Sequence, residues 1–144
     1  MIAQETGGDA EHRKSGRIVR QLSGNGVIEE KAYAKINLAL EVLGRRDDGY
    51  HEVSTVLHAV GLADHLTFEE SEGLSLECDD PAIAGEDNLV LRAARLLQQA
   101  TGSGSGVSIT LRTGIPVAAG LGGGSSDAAA ALLALNRLWD IGMS

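Results

Sequence analysis

Cysteine, proline, aromatic side chains and lysine are all scarce in this chain. Cys78 is the one cysteine, which excludes an internal disulfide and a cysteine-rich metal site and fits a reducing compartment. No apolar run approaches the roughly 18 residues a spanning helix needs, and residues 1–26 lack the apolar stretch of about 7–15 residues found in secretory signals. That leader also carries Glu5, Asp9 and Glu11, whereas organelle transit peptides are poor in acids. It reads as a disordered tail before one domain over residues 27–144, and the expected location is cytoplasmic. Positive charge is short too. Against 20 Asp+Glu there are 12 Lys+Arg, a net charge of -8, which argues against nucleic acid or a membrane as partner and for a small molecule.

Charge is unevenly spread. From Asp47 to Leu91 there are acids and no Lys or Arg, while Asn88 to Ser126 holds Arg92, Arg95 and Arg112 and no acid. The second stretch suits an anion; the alternative is a solvated helix face and strand end.

Val27 to Gly44 reads as extended chain. Ile36, Leu38, Leu40 and Val42 alternate with Lys35, Asn37, Ala39 and Glu41 at the period of two of a half-buried strand, which puts Lys35 and Asn37 on one face. A charged turn at Arg45 to Gly49 leads to a second run near Val53 to Val60, then to two short strands, one with Leu66 and Phe68 and one with Leu74, Leu76 and Cys78. Asp79 to Glu86 is a loop ending in the capping types Asp87 and Asn88. Leu89, Ala93, Leu96, Leu97 and Ala100 then recur at helical spacing as a core face. After a Gly/Ser connector, Val107, Ile109 and Leu111 form another alternating strand, and a helix is expected from Asp127 onward. Strands, helix, strand, helix in that order mean an α/β or α+β layer structure.

The informative segment is Pro116 to Asp127, PVAAGLGGGSSD. Glycines let backbone approach a ligand without Cβ clashes, so consecutive N–H groups can converge on one anion. The helix that follows offers unpaired N–H donors and the positive end of its dipole, a seat for phosphate. Ser125 and Ser126 offer hydroxyls to phosphate oxygens or to a magnesium ion, while Asp127 either caps the helix or sits near metal, with capping favoured. Two other phosphate loops compete. The Walker A pattern needs a lysine before Ser or Thr, and no lysine lies between Val53 and Ser144. The dinucleotide fingerprint needs a tight strand-to-helix turn, which the long connection from Leu111 to Ser125 does not provide.

PVAAGLGGGSSDAA resembles the ATP-phosphate motif of the galactokinase, homoserine kinase, mevalonate kinase and phosphomevalonate kinase (GHMP kinase) superfamily. With AKINLALEVLGRRDDGYHE, GEDNLVLRAARLL and ALNRLW in order, it is similar to the branch that phosphorylates 4-diphosphocytidyl-2-C-methyl-D-erythritol in the non-mevalonate isoprenoid pathway. The resemblance covers essentially residues 32–139. One departure is Tyr33, where that branch commonly has proline, which touches the angle at which the strand begins rather than the chemistry.

The resemblance implies a two-layer α/β (α+β) GHMP kinase N-terminal domain, similar to the second domain of a ribosomal protein, with a left-handed βαβ crossover. It implies ATP, with magnesium travelling on the nucleotide, bound by Pro116, Val117, Ala118, Ala119, Gly120, Leu121, Gly122, Gly123, Gly124, Ser125 and Ser126, with Asn88 at the adenosine. Asn88 has a helix N-cap as its other reading. Lys35 is implied as catalytic, since an ammonium can steer the acceptor hydroxyl or the transferred phosphate. Asn37, on the same face, is implied as substrate-binding, by a hydrogen bond to substrate or a phosphate, with an ordinary polar strand position as its other reading. Tyr50 and His51, in the turn DDGYH, would take the cytosine of the acceptor by stacking and edge hydrogen bonds. His12, His58 and His65 show no metal-like spacing, and no residue is singled out as a metal ligand. Chains of this branch are longer and supply an aspartate and a second glycine-rich loop downstream. A silent nucleotide-binding fragment and a kinase with another acceptor are the rival readings, and the DGYH turn speaks against the second.

Overall fold

The computed structural model describes residues 26–143, so the expected tail lies outside it except for Gly26. The elements are β1 (Val27–Arg45), β2 (His51–Ser71), β3 (Leu74–Cys78), α1 (Leu89–Thr101), β4 (Gly106–Arg112) and α2 (Gly123–Leu138). Strand order in the sheet is β1-β2-β4-β3. β1 with β2 and β2 with β4 run antiparallel, whereas β3 and β4 are parallel neighbours joined through α1. The two helices pack on each other, α2 against β1 and β2 and α1 against β3, which makes the second layer of an α/β fold.

Register builds the core. Ile28 pairs with Phe68, Phe68 with Ile109 and Ile109 with Leu76, one row across all four strands. Leu66 and Leu111 pair in the next row. From the helices come Val90, Ala94 and Leu97 and, on α2, Ala130, Ala131, Ala134 and Leu135. Small side chains on α2 let that helix approach the sheet closely, and each large apolar side chain buried here contributes about 1.5–3 kcal/mol.

Three expectations are corrected. The run at Leu66 and Phe68 is the end of a single long β2, which continues through Gly61 although the pairing with β1 shifts there, from Tyr33↔Ala63 to Lys35↔Ala59. The alternation from Ile36 to Val42 does not mark a half-buried strand: Leu38, Leu40 and Val42 are exposed, as are Val56 and Leu57 opposite. The β1–β2 hairpin runs past the helices here, and bulges at Tyr33/Lys35, Asn37/Ala39 and Val42/Gly44 interrupt its pairing. On α1 the buried stripe is Val90, Leu91, Ala93, Ala94 and Leu97, with Leu89 and Leu96 outside it.

Candidate phosphate-binding site

α2 begins four residues before the expected start. Its N-cap is Gly122, in the left-handed region at φ 74°, and Gly123 and Gly124 form its first turn. Glycine is a poor helix former, so the turn is held by its surroundings. A Cβ on Gly122 would lie 3.1 Å from Lys35 Cγ, one on Gly123 3.2 Å from Ile115 Cγ2, and one on Gly124 3.3 Å from Leu89 Cδ1. Ahead of them Gly120 has φ 74° and Ala118, a residue with a Cβ, φ 59°. Left-handed backbone at a non-glycine residue costs about 1–2 kcal/mol and is the kind of strain that gathers at ligand loops.

This segment walls a cavity of about 520 Å³. Pro116 to Ser125 line it, with Asn88, Asp87 and Leu89 on the α1 side and Asp64 and Asp127 among the remaining wall residues. The free N–H groups of the first turn of α2 and the positive end of its dipole belong to this wall. Ser126 is outside the lining; its N–H already bonds Gly122 O at 3.0 Å.

Lys35 stands beside the loop. Its backbone N–H donates to Leu121 O at 2.9 Å, its stem lies along Gly122, and its Nζ donates to Asn37 Oδ1 at 2.7 Å. Asn37 in turn donates to Thr55 Oγ1, and Thr55 to Ala39 O, both at 2.7 Å. Lys35 and Asn37 therefore do share a face. Asn88 caps α1, accepting from the Val90 N–H at 2.8 Å and donating to Ile83 O at 2.7 Å. Both ends of its amide are thus engaged within the protein. Tyr50 and His51 sit apart from the cavity at the hairpin tip, where Tyr50 is 73% exposed. Arg95 pairs with Glu86 and Arg112 with Glu77, and none of the three arginines lines the cavity; the solvated-face reading holds for them.

Two carboxylates were not read correctly from the sequence. Asp127 does not cap α2 but lies inside it, 3% exposed, and Oδ1 has no hydrogen-bond partner in the protein. Burial pushes its carboxyl up to about 7, with the charge of Asp64 and a hydrogen bond to it adding to the effect. Asp64, 2% exposed, accepts on Oδ1 from the N–H groups of Gly114 at 2.6 Å and Ile115 at 2.7 Å. The signal was available. Asp64 has the parity of Leu66 and Phe68 on β2, and Asp127 stands one and two turns ahead of the buried Ala131 and Leu135. Asp79 makes a further tie, accepting from Thr113 N–H and Oγ1, both at 2.9 Å, which holds its carboxyl below the usual range. Among the described residues no three His, Cys, Asp or Glu converge as metal ligands, and no helix is long and apolar enough to cross a membrane.

Residues 88–144 match the family model of the GHMP kinases N terminal domain. The 4-diphosphocytidyl-2-C-methyl-D-erythritol kinase of Thermoanaerobacter pseudethanolicus is 51% identical over 118 residues, covering 81% of this chain and 41% of that one. The enzyme of the same name from a Synechococcus strain is 56% identical over 119 residues, covering 80% of this chain and 38% of its own. The chain thus spans about two fifths of the length of these curated relatives. Among solved structures, a 4-(cytidine 5'-diphospho)-2C-methyl-D-erythritol kinase superposes with TM-score 0.70 at 46% identity, over 81% of this chain and 42% of that one. Homoserine kinase from Cytophaga hutchinsonii superposes with TM-score 0.63 at 19% identity, over 88% of this chain and 39% of that one, a likeness of fold.

Proposed function

The chain carries the N-terminal domain of the GHMP kinase family, and from that premise we propose that residues 27–144 form one domain that cradles ATP. The phosphoryl group would go to a hydroxyl of 4-diphosphocytidyl-2-C-methyl-D-erythritol, in the cytoplasm, for isoprenoid precursor synthesis. The observation that carries this reading is the run Gly122, Gly123, Gly124, each in close contact with a neighbour, opening α2 over a cavity of about 520 Å³. A side chain at any of the three would press on Lys35, Ile115 or Leu89 and push the loop out of the position from which its backbone N–H groups can reach an anion. Gly120 to Ser125 would hold the triphosphate, Pro116 to Ala119 the wall beside it, and the Ser126 hydroxyl would reach it only after a change of rotamer or of the bound loop. Asn88 would act on the adenosine end by fixing the first turn of α1.

Lys35 would supply the positive charge that phosphoryl transfer needs. It lies against the loop yet is held away from the cavity by Asn37, so its ammonium has a neutral resting partner to leave when phosphate arrives. Magnesium would arrive on the nucleotide, and no residue is assigned as its ligand. Tyr50 and His51 would meet the cytosine of the acceptor, at a tip that is open in this structure.

Gly122→Val will abolish ATP binding measured by calorimetry. Valine cannot hold φ 74° without strain, and its Cβ would press on Lys35. Unchanged ATP affinity in a folded variant would remove the cradle assignment. Tyr50→Ala will weaken cytidine 5'-diphosphate binding by about 1–3 kcal/mol if the ring stacks on the base. The probe is direct titration of the chain, and equal affinity in both proteins would unseat Tyr50 from the acceptor site.

A further inference from the structure

The loop from Pro116 to Gly122 has no regular structure of its own, and its two ends are fixed by one acid. At the leading end, the N–H groups of Gly114 and Ile115 both donate to Asp64 Oδ1, at 2.6 and 2.7 Å. At the trailing end, Asp127 stands one turn beyond Gly123 on α2, buried on the wall of the same cavity as Asp64, and its carboxyl is raised by that burial and then by the charge of Asp64. Gly123 stands between, where an added Cβ would lie 3.4 Å from Asp64 Oδ2 and 3.2 Å from Ile115 Cγ2. We propose that Asp64 and Asp127 are positioning residues that fasten the phosphate loop at both ends, and that the fastening holds only while the pair keeps one proton.

The chemistry assigns that proton. Asp64 accepts two short N–H bonds on one oxygen, the pattern of an ionised acceptor. Two adjacent carboxylates at 2% and 3% exposure cannot both be ionised without a large penalty. The proton therefore sits on Asp127, which donates to Asp64 and leaves its Oδ1 with no donor. That placement agrees with a carboxyl raised to about 7. The other groups facing the pair do not relieve a second charge. From β3, the Cys78 thiol is itself pushed up, by burial first and then by the nearby acids Asp79, Asp80 and Asp127. Asp79 is engaged by Thr113, Asp87 on the α1 side of the cavity is a further acid, and the Lys35 ammonium on β1 is turned to Asn37. Loss of the proton puts two like charges under the loop and breaks the link between its ends, and an incoming phosphate then meets an added negative charge.

Only the affinity part depends on the nucleotide reading, and the first measurement is independent of it. Carboxyl ¹³C titration of the nucleotide-free 144-residue chain will show Asp127 with a midpoint near 7, and the amides of Gly114 and Ile115 will shift with the same midpoint. A midpoint below about 5, or amides that do not follow, overturns the proposal whatever the variants do. Asn at position 127 keeps a donor toward Asp64 without titrating. In Asp127→Asn those two amides will be unchanged from pH 6 to 8.5, and ATP affinity will stay level. The parent chain will lose affinity about tenfold for each pH unit above 7. Identical pH profiles in the two proteins would overturn the proposal, since the nucleotide's own ionisation is common to both. If neither protein binds ATP while the carboxyl titration and its echo at Gly114 and Ile115 are present, the fastening stands and the nucleotide reading falls.

Discussion

The folded chain will lose stability as the pH is raised from 4 toward 8, and Asp127→Asn will remove most of that loss. A carboxyl raised from its ordinary 3.8 to about 7 binds more protons in the native state than in the unfolded one between those values. Stability then falls with rising pH across that window and levels off above it. At about 1.36 kcal/mol per pH unit the full effect is on the order of 4 kcal/mol, a large part of the 5–15 kcal/mol typical of a small domain. Asparagine carries no charge to bury, so the variant will be more stable than the parent at pH 8 and close to it at pH 4. Asp79 works in the opposite sense. The Thr113 N–H and then its hydroxyl hold that carboxyl below its ordinary value, so its contribution is present above about pH 4 and is lost as pH falls further. Urea denaturation at pH 2.5, 4, 6 and 8 separates the two groups, Asp79 acting below pH 4 and Asp127 above it. Parallel stability curves for parent and variant would show that Asp127 is ionised in the fold at neutral pH.

Burial in this molecule was legible in sequence only where a strand had a layer to bury against. Val107, Ile109 and Leu111 alternate and are fully buried, because β4 lies between β2 and β3 with helices over it. Ile36 to Val42 alternates just as cleanly and is exposed, because periodicity records which residues share a face and not whether anything covers that face. On α1 the expected Ala93 and Leu97 are buried, but Val90, Leu91 and Ala94 complete the stripe in place of Leu89 and Leu96; helical spacing gives the period of a face, while neighbouring elements fix its rotation. The loop's glycines were legible as a cradle, but the same glycines hid the first turn of α2, since intrinsic propensity argues against a helix that tertiary contacts impose. Asp64 was passed over, and Asp127 was read as a cap, for a related reason. A charged residue at core parity reads as a break in a pattern, and its meaning appears only when strand, loop and helix bring it a partner.

Given ATP, magnesium and the cytidyl acceptor, the 144-residue chain will turn over at close to the uncatalysed rate. The contacts of Lys35 Nζ are the reason. Its partner is Asn37, followed by Thr55 and the carbonyl of Ala39, a neutral chain without a carboxylate. Asp64 is occupied by Gly114 and Ile115, and Asp127 is buried within α2 and holds its proton toward Asp64. Neither can take a proton from a hydroxyl placed beside Lys35, so the described residues supply charge neutralisation without a general base. Absence of acid–base assistance typically costs 10²–10⁴-fold in rate, roughly 3–5 kcal/mol of barrier. Relatives that extend well beyond the matched region are where such a base would be sought. A coupled assay for ADP release measures the rate, with Lys35→Ala run beside the parent. Turnover at an ordinary kinase rate of about 1–100 s⁻¹ that vanishes in Lys35→Ala would place the missing base among these residues. The same rate surviving in Lys35→Ala would mean that Lys35 is not the catalytic cation.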